Sequence, residues 1–250
     1  MRVDQSKCTG CLKCVPYCPM GVITKVPDRR LVTIDEDECV ECGVCYRVGV
    51  CAAGALYQPP LEWPRSLRAD FSNPTTVHKA TGIAGRGTEE MKTNDVTGRY
   101  GPGRVGMAAE LGRPGIGARF YDVEKVAQAV AGLGVTFEPK NPVTVLMVDK
   151  STGKLRDDVL NEKVLSAIVE FDADISQVPA IVARLNEVAR EVNTVFSVGL
   201  ISLVDRDGTV PVEKLDLASL GRPLSFNGKT NVGLGRPKAK NLEGCINESY

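Results

Sequence analysis

From residue 104 onward the chain alternates between two hydrophobic rhythms. RVGMAAELG at 104–112 is a mostly apolar run that predicts a strand. The glycine-rich GRPGIGARF follows, with Arg104, Arg113 and Arg119 around it. Asp122 then stands as a helix N-cap before Val123, Val126, Val130 and Leu133, which recur at helical spacing, and Gly132 and Gly134 close that helix. PVTVLMVD at 142–149 predicts a strand, STGK at 151–154 a turn, and KVLSAIVEFD at 163–172 another strand. ISQVPAIVARLNEVAREV reads as a second helix, with Pro179 in its first turn and one stripe of Ile181, Leu185, Val188 and Val192. TVFSVGLISLV at 194–204 is the last strand. The predicted order is β-α-β-β-α-β, which places two helices on one face of a four-stranded antiparallel sheet, with the apolar stripes as core.

The segments on either side lack such rhythm. Residues 59–103 are rich in Gly, Pro, Thr and Asn, and predict loops and short turns. Pro59, Pro60 and Pro64 open this connector. Gly82, Gly85 and Gly87 with Arg86 are a candidate anion-binding nest, although a plain ordered connector or docking arm is the simpler reading. His78, the one histidine, is expected to be solvated. Residues 206–250 again read as an irregular extension, suited to wrapping a neighbour and carrying Cys245 as a spare surface thiol.

Composition changes this picture little. The 250 residues are 43% hydrophobic and 25% charged, as in an ordinary globular protein. Lys plus Arg and Asp plus Glu both total 31, so no affinity for nucleic acid is expected. No apolar run is long enough for membrane insertion. MRVDQSKC has no apolar signal core, so a cytoplasmic protein is expected, in a compartment where thiols stay reduced and clustered cysteines point to metal.

The cysteines carry the chemistry. Eight of the nine lie in two runs: Cys8, Cys11, Cys14 and Cys18 before Pro19, then Cys39, Cys42, Cys45 and Cys51. The first reads C-x2-C-x2-C-x3-C-P and the second C-x2-C-x2-C-x5-C. Three thiolates at two-residue gaps wrap one face of a cubane and leave one iron to be held from elsewhere. Paired C-x2-C knuckles also suit zinc, but zinc does not require three cysteines in one loop with a distant fourth, twice over.

Residues 1–58 resemble a bacterial-type ferredoxin with two [4Fe-4S] clusters, and the internal repeat of CTGCLKCVPYCPMGVI with CVECGVCYRVGVCAAGAL carries the likeness. LVTIDEDEC between them reads as a short strand and an acidic turn. The resemblance implies that one cluster uses Cys8, Cys11, Cys14 and Cys51, and the other Cys39, Cys42, Cys45 and Cys18. Two departures stand out: five residues precede Cys51 where the plain pattern has three, and Ala52 replaces the usual proline. Both leave the ligand count intact and act on solvent access or on hydrogen bonds to sulfur.

The expected architecture is therefore α+β, in four parts. Residues 1–58 form the ferredoxin domain, 59–103 the connector, 104–205 a ferredoxin-like α/β plait and 206–250 the tail. The plait resembles ACT-type regulatory domains in topology, which by itself assigns no function, and it offers a route to a homo-oligomer by edge-to-edge pairing. The resemblance implies low-potential one-electron transfer, as a subunit or dedicated ferredoxin serving a redox partner protein or catalytic subunit. The alternative is a redox- or ligand-responsive regulator in which Arg113 and Arg119 hold a small anion. No catalytic residues stand out: the sequence has no nucleophile elbow, no H-E-x-x-H and no nucleotide-binding glycine motif.

Overall fold

A computed structural model describes residues 1–79, 81–84, 100–113 and 115–221. Gly85, Arg86, Gly87 and Cys245 of the sequence reading lie outside them. The N-terminal segment contains β1 (Arg2–Val3), β2 (Ile23–Lys25), β3 (Val32–Ile34), α1 (Val44–Arg47) and β4 (Leu56–Tyr57). Strands β1 and β4 pair antiparallel, as do β2 and β3, giving two small ribbons rather than one sheet. Their core is small and mixes Met1, Ile23, Val32, Ile34 and Leu56 with the sulfurs of Cys14, Cys39 and Cys45. A core this slight gains little from burial alone, so bound metal is expected to supply folding free energy here.

Among the described residues of 59–103, order exceeds what the composition suggests. The connector forms helix α2 (Ser66–Ser72), whose Leu67 and Phe71 are buried in the main core. Phe71 packs edge-on against Phe120 at 5.1 Å and against His78 at 5.4 Å. His78 is therefore buried, not solvated. Its surroundings, not its polarity, decide: the turn that follows α2 folds its ring onto the Phe71 edge.

The larger unit comprises β5 (Arg104–Leu111), β6 (Ala118–Arg119), α3 (Phe120–Ala131), β7 (Thr136–Phe137), α4 (Pro142–Val145), β8 (Met147–Asp149), β9 (Lys154–Leu155), β10 (Lys163–Val164), β11 (Ala167–Asp174), α5 (Val178–Val188) and β12 (Phe196–Ser202). Its four-stranded sheet runs β12-β5-β11-β7, antiparallel throughout. Ala167 faces Leu111 across β11 and β5, and Phe196 faces Leu111 from the other side. Strict alternation sends Val105, Met107, Ala109 and Leu111 to one face, with Val169 and Phe171 beside them. That face packs on Val123, Val126 and Val130 of α3 and on Ile181, Leu185 and Val188 of α5. Each such side chain contributes about 1.5–3 kcal/mol by leaving water.

Three expectations are corrected. PVTVLMVD is not a sheet strand: Asn141 caps a short helix by accepting from the Val143 N–H, Pro142 occupies its first turn, and only Met147–Asp149 is extended, in a hairpin with β9. The sheet strand after α3 is instead Thr136–Phe137, which pairs with Asp172 and Phe171. KVLSAIVEFD breaks into β10 and β11, because β10 pairs with Ala118–Arg119 outside the sheet. Finally, α3 starts at Phe120 after Arg119, so Asp122 sits within its first turn, buried and accepting from the Asn193 N–H, and is not the N-cap. In the C-terminal segment, Val212 and Leu217 also reach the main core.

Candidate metal centre

The two cysteine runs share a backbone device. Gly10 and Leu12 have φ values of 63° and 63°; Glu41 and Gly43, at the same offsets from Cys39 as those two from Cys8, have 55° and 68°. Left-handed residues at these offsets curl the chain so that three successive cysteines turn inward. Leu12 and Glu41 are not glycines, and holding a side chain there costs about 1–2 kcal/mol. Strain of this kind persists where a site requires it. Gly10 is further confined, since an added Cβ would lie 2.2 Å from the carbonyl carbon of Arg30.

The structure brings all eight cysteines of the two runs to two cavities. Cys8, Cys11, Cys14 and Cys51 line one of about 130 Å³. Cys18, Cys39, Cys42 and Cys45 line the other, a tighter space of about 20 Å³. The fourth cysteine of each run has thus crossed to the other run's cavity. The thiols are spread around the walls; among the described residues, no three His, Cys, Asp or Glu side chains are placed to share a single ion. Four thiols around an apolar cavity match the donor set of a cubane.

Exposure differs between the sites. Cys11 is exposed and Cys8 and Cys51 half-buried, whereas Cys39, Cys42 and Cys45 are each 8% exposed. Burial pushes the thiols of Cys14, Cys39 and Cys42 up, and that of Cys45 to about 12. The N–H of Lys13 lowers that of Cys11. Thiolates in such surroundings require the cationic irons as partners. Cys51 Sγ also accepts the Ala55 N–H at 3.2 Å, one of the hydrogen bonds that tune a cluster. The longer second loop is taken up by α1 and by Gly49 at positive φ.

An ionic layer surrounds the second cavity. The Glu41 carboxylate is buried, which opposes its charge, yet the Met1 amine, Gln58 and Arg65 hold it below the ordinary carboxyl range. Arg68 donates to the carbonyls of Asp37 and Cys39 at 2.6 and 2.9 Å and pairs with Glu162. Arg119 pairs with Asp37 and Glu38, and Lys163 with Glu38. These contacts lower the Asp37 and Glu38 carboxyls, chiefly through Arg119 on the first and Lys163 on the second. Arg119 is thus occupied by the protein's own carboxylates, and Arg113 stands 3.8 Å from Glu110. The sequence reading missed Arg65 and Arg68 because both lie on a stretch without helical period; the isolated Leu67 and Phe71, four apart, were the available signal.

Comparison with known proteins bears on the segment that carries these cysteines. The family described as a 4Fe-4S dicluster domain matches residues 7–55. An uncharacterized protein, MJ0749, of Methanocaldococcus jannaschii is 38% identical over 56 residues, covering 22% of this chain and 20% of that protein. Ferredoxin-1 of Rhodobacter capsulatus is 38% identical over 42 residues, covering 17% of this chain and 62% of the ferredoxin. The chain thus spans less than two thirds of either relative. No solved structure matches. The N-terminal segment is a dicluster ferredoxin module, and two [4Fe-4S] clusters are its cofactors.

Proposed function

We propose that the chain carries single electrons at low potential between a donor and a partner oxidoreductase, as an electron-transfer subunit or dedicated ferredoxin in the cytoplasm. The ligands are Cys8, Cys11, Cys14 and Cys51 for one cluster, and Cys39, Cys42, Cys45 and Cys18 for the other. The observation that carries this reading is the exchange of fourth cysteines between the two cavities, which knits both sites into one unit. The clusters, when bound, supply one-electron exchange.

The chain's own residues do the rest. The left-handed positions at 10, 12, 41 and 43 aim the thiolates. Val22, Ile23, Ile34 and Val40 exclude water from the second site. The Ala55 N–H donates to Cys51 Sγ.

We assign 1–58 to the ferredoxin domain, 59–103 to a connector, 104–205 to a ferredoxin-like α/β plait and 206–250 to an extension. The strand order and the two helices on one face support the plait, and the burial of Leu67 and Phe71 attaches α2 to its core. The plait and its flanks give the module a dedicated seat.

The test is an anaerobic pull-down of the tagged protein, with iron counted on the eluate and a reductive titration on the same sample. About eight irons per chain, the number that two cubanes require, and uptake of one electron per cluster are expected, with an oxidoreductase in stoichiometric amount. Iron well short of that number, or clusters that take no electrons, would sink the reading.

A further inference from the structure

The module is electrically divided. Residues 1–30 hold six cations, Arg2, Lys7, Lys13, Lys25, Arg29 and Arg30, against Asp4 and Asp28. Residues 35–41 hold the other five carboxylates. The larger unit spends its own cations on that acidic stretch, through Arg119 and Lys163, while Arg68 of the connector holds its main chain. Arg2 also turns to that stretch, pairing with Glu36, so the basic pole offered to an outside partner is the remaining cations of residues 1–30.

The two cavities follow the same division. The wall of the second meets the glycine loop that precedes β6. An added Cβ on Gly115 would lie 3.2 Å from the Pro19 carbonyl, and one on Gly117 would lie 2.9 Å from Met20 Cε. The first cavity faces outward, with Thr9, Cys11, Leu12 and Lys13 of its wall exposed. The close packing of Gly10 on the Arg30 main chain brings the turn bearing Arg29 and Arg30 to this rim. No carboxylate lines the cavity. Lys7 is paired with Asp4, but Lys13, Arg29 and Arg30 have no ion pair among the described residues.

We propose that the rim around Cys11, formed by Lys13, Leu12 and the Arg29–Arg30 turn, is the docking face for an acidic one-electron redox protein, and that electrons cross between molecules at this cavity. The inference rests on the electron-transfer reading above. Leu12 supplies an apolar centre and the cations steer the encounter, as suits a small transient redox interface.

The full-length holoprotein, reduced anaerobically, is mixed with an acidic plastocyanin or a basic cytochrome c. In each transfer one cluster loses one electron, and either Cu(II) becomes Cu(I) or haem Fe(III) becomes Fe(II). The comparison is with Lys13→Glu/Arg30→Glu, which touches no proposed ligand. The rate to plastocyanin should fall with salt and, at low salt, fall about tenfold in the variant; the rate to cytochrome c should rise. Binding of Cu(I) plastocyanin, which accepts no electron, should weaken by a similar factor. Should charge reversal cost iron, Lys13→Gln/Arg30→Gln carries the same test, with changes of the same sign. A plastocyanin rate and affinity indifferent to salt and variant, or a parent that binds the cytochrome more tightly, overturns the docking face and leaves electron transfer standing. An iron-replete parent that reduces neither acceptor overturns electron transfer itself.

Discussion

Arg68 donates to the main-chain carbonyl of Cys39 at 2.9 Å, with its guanidinium almost wholly buried and Glu162 on its other edge. One side chain thus ties a cysteine of the second cavity to the larger unit. Removing it strands the Glu162 carboxylate and the carbonyls of Asp37 and Cys39. Arg68→Ala should cost about 3–5 kcal/mol, a fall in Tm of roughly 6–20 °C for a chain of this size. Arg68→Lys should recover little, because an ammonium cannot span the same fork of acceptors. Anaerobic calorimetry reads both, and an unchanged Tm in Arg68→Ala would refute the tie.

The crossing of fourth cysteines predicts which signal each substitution moves. Cys51→Ser should disturb the cluster that is shared with Cys8, Cys11 and Cys14, and Cys18→Ser the one shared with Cys39, Cys42 and Cys45. Each variant should lose or convert one cluster and keep the other, which iron analysis and electron paramagnetic resonance of the reduced protein resolve. Cys51→Ser and Cys42→Ser altering the same signal would contradict the assignment.

How far the sequence led depends on where the physical signal sits. Cysteine spacing is local and chemically specific, so both cavities were legible from Cys8 to Cys51. The stripes of α3 and α5 were legible because each helix buries one face, and β5 was legible as an apolar run because the strand is buried on both. PVTVLMVD misled because a continuous apolar run has no period; the Asn141–Pro142 cap was the better guide. The cations that seat the acidic turn were not legible at all. Arg68 and Arg119 lie 31 and 82 residues from Asp37, Lys163 lies 125 from Glu38, and only the tertiary fold brings them together.

Gly10 tests the left-handed device at the first cavity. Its φ of 63° and the 2.2 Å approach to Arg30 leave no room for a side chain. Gly10→Ala should cost more than about 1 kcal/mol from the backbone conformation alone, with the clash added. The cluster near Cys11 should become labile while the other persists, seen as stepwise loss of iron to a chelator. Equal retention of both clusters would show that the loop accommodates the methyl group.

Iron removal should divide the molecule. The N-terminal core consists partly of the cysteines themselves, whereas the larger unit has a continuous core around β5, β11, α3 and α5. Chelation under reducing conditions should melt residues 1–58 and leave the helical circular dichroism of α3 and α5 largely intact. Cooperative loss of both would show that the ionic seat makes a single folding unit.

His78 sets a pH dependence far from the cysteines. Burial lowers its pKa, and nearby Asp70 offsets this only in part. The native state therefore holds a neutral imidazole, while the unfolded chain takes up a proton near its ordinary value of about 6.5. Below that value the unfolded state binds more protons, so stability should fall as pH drops through about 6.5 and level off once the native His78 also titrates, with a slope of at most about 1.4 kcal/mol per pH unit. Asp70 works in the opposite sense: burial raises its carboxyl, so its protonation favours the native state, but in the lower window just above the ordinary aspartate value. His78→Phe keeps a ring against the Phe71 edge and removes the titration. Thermal unfolding of the holoprotein between about pH 7.5 and 5.5 should show the slope in the parent and its loss in the variant, and the same slope in both would assign it to another group.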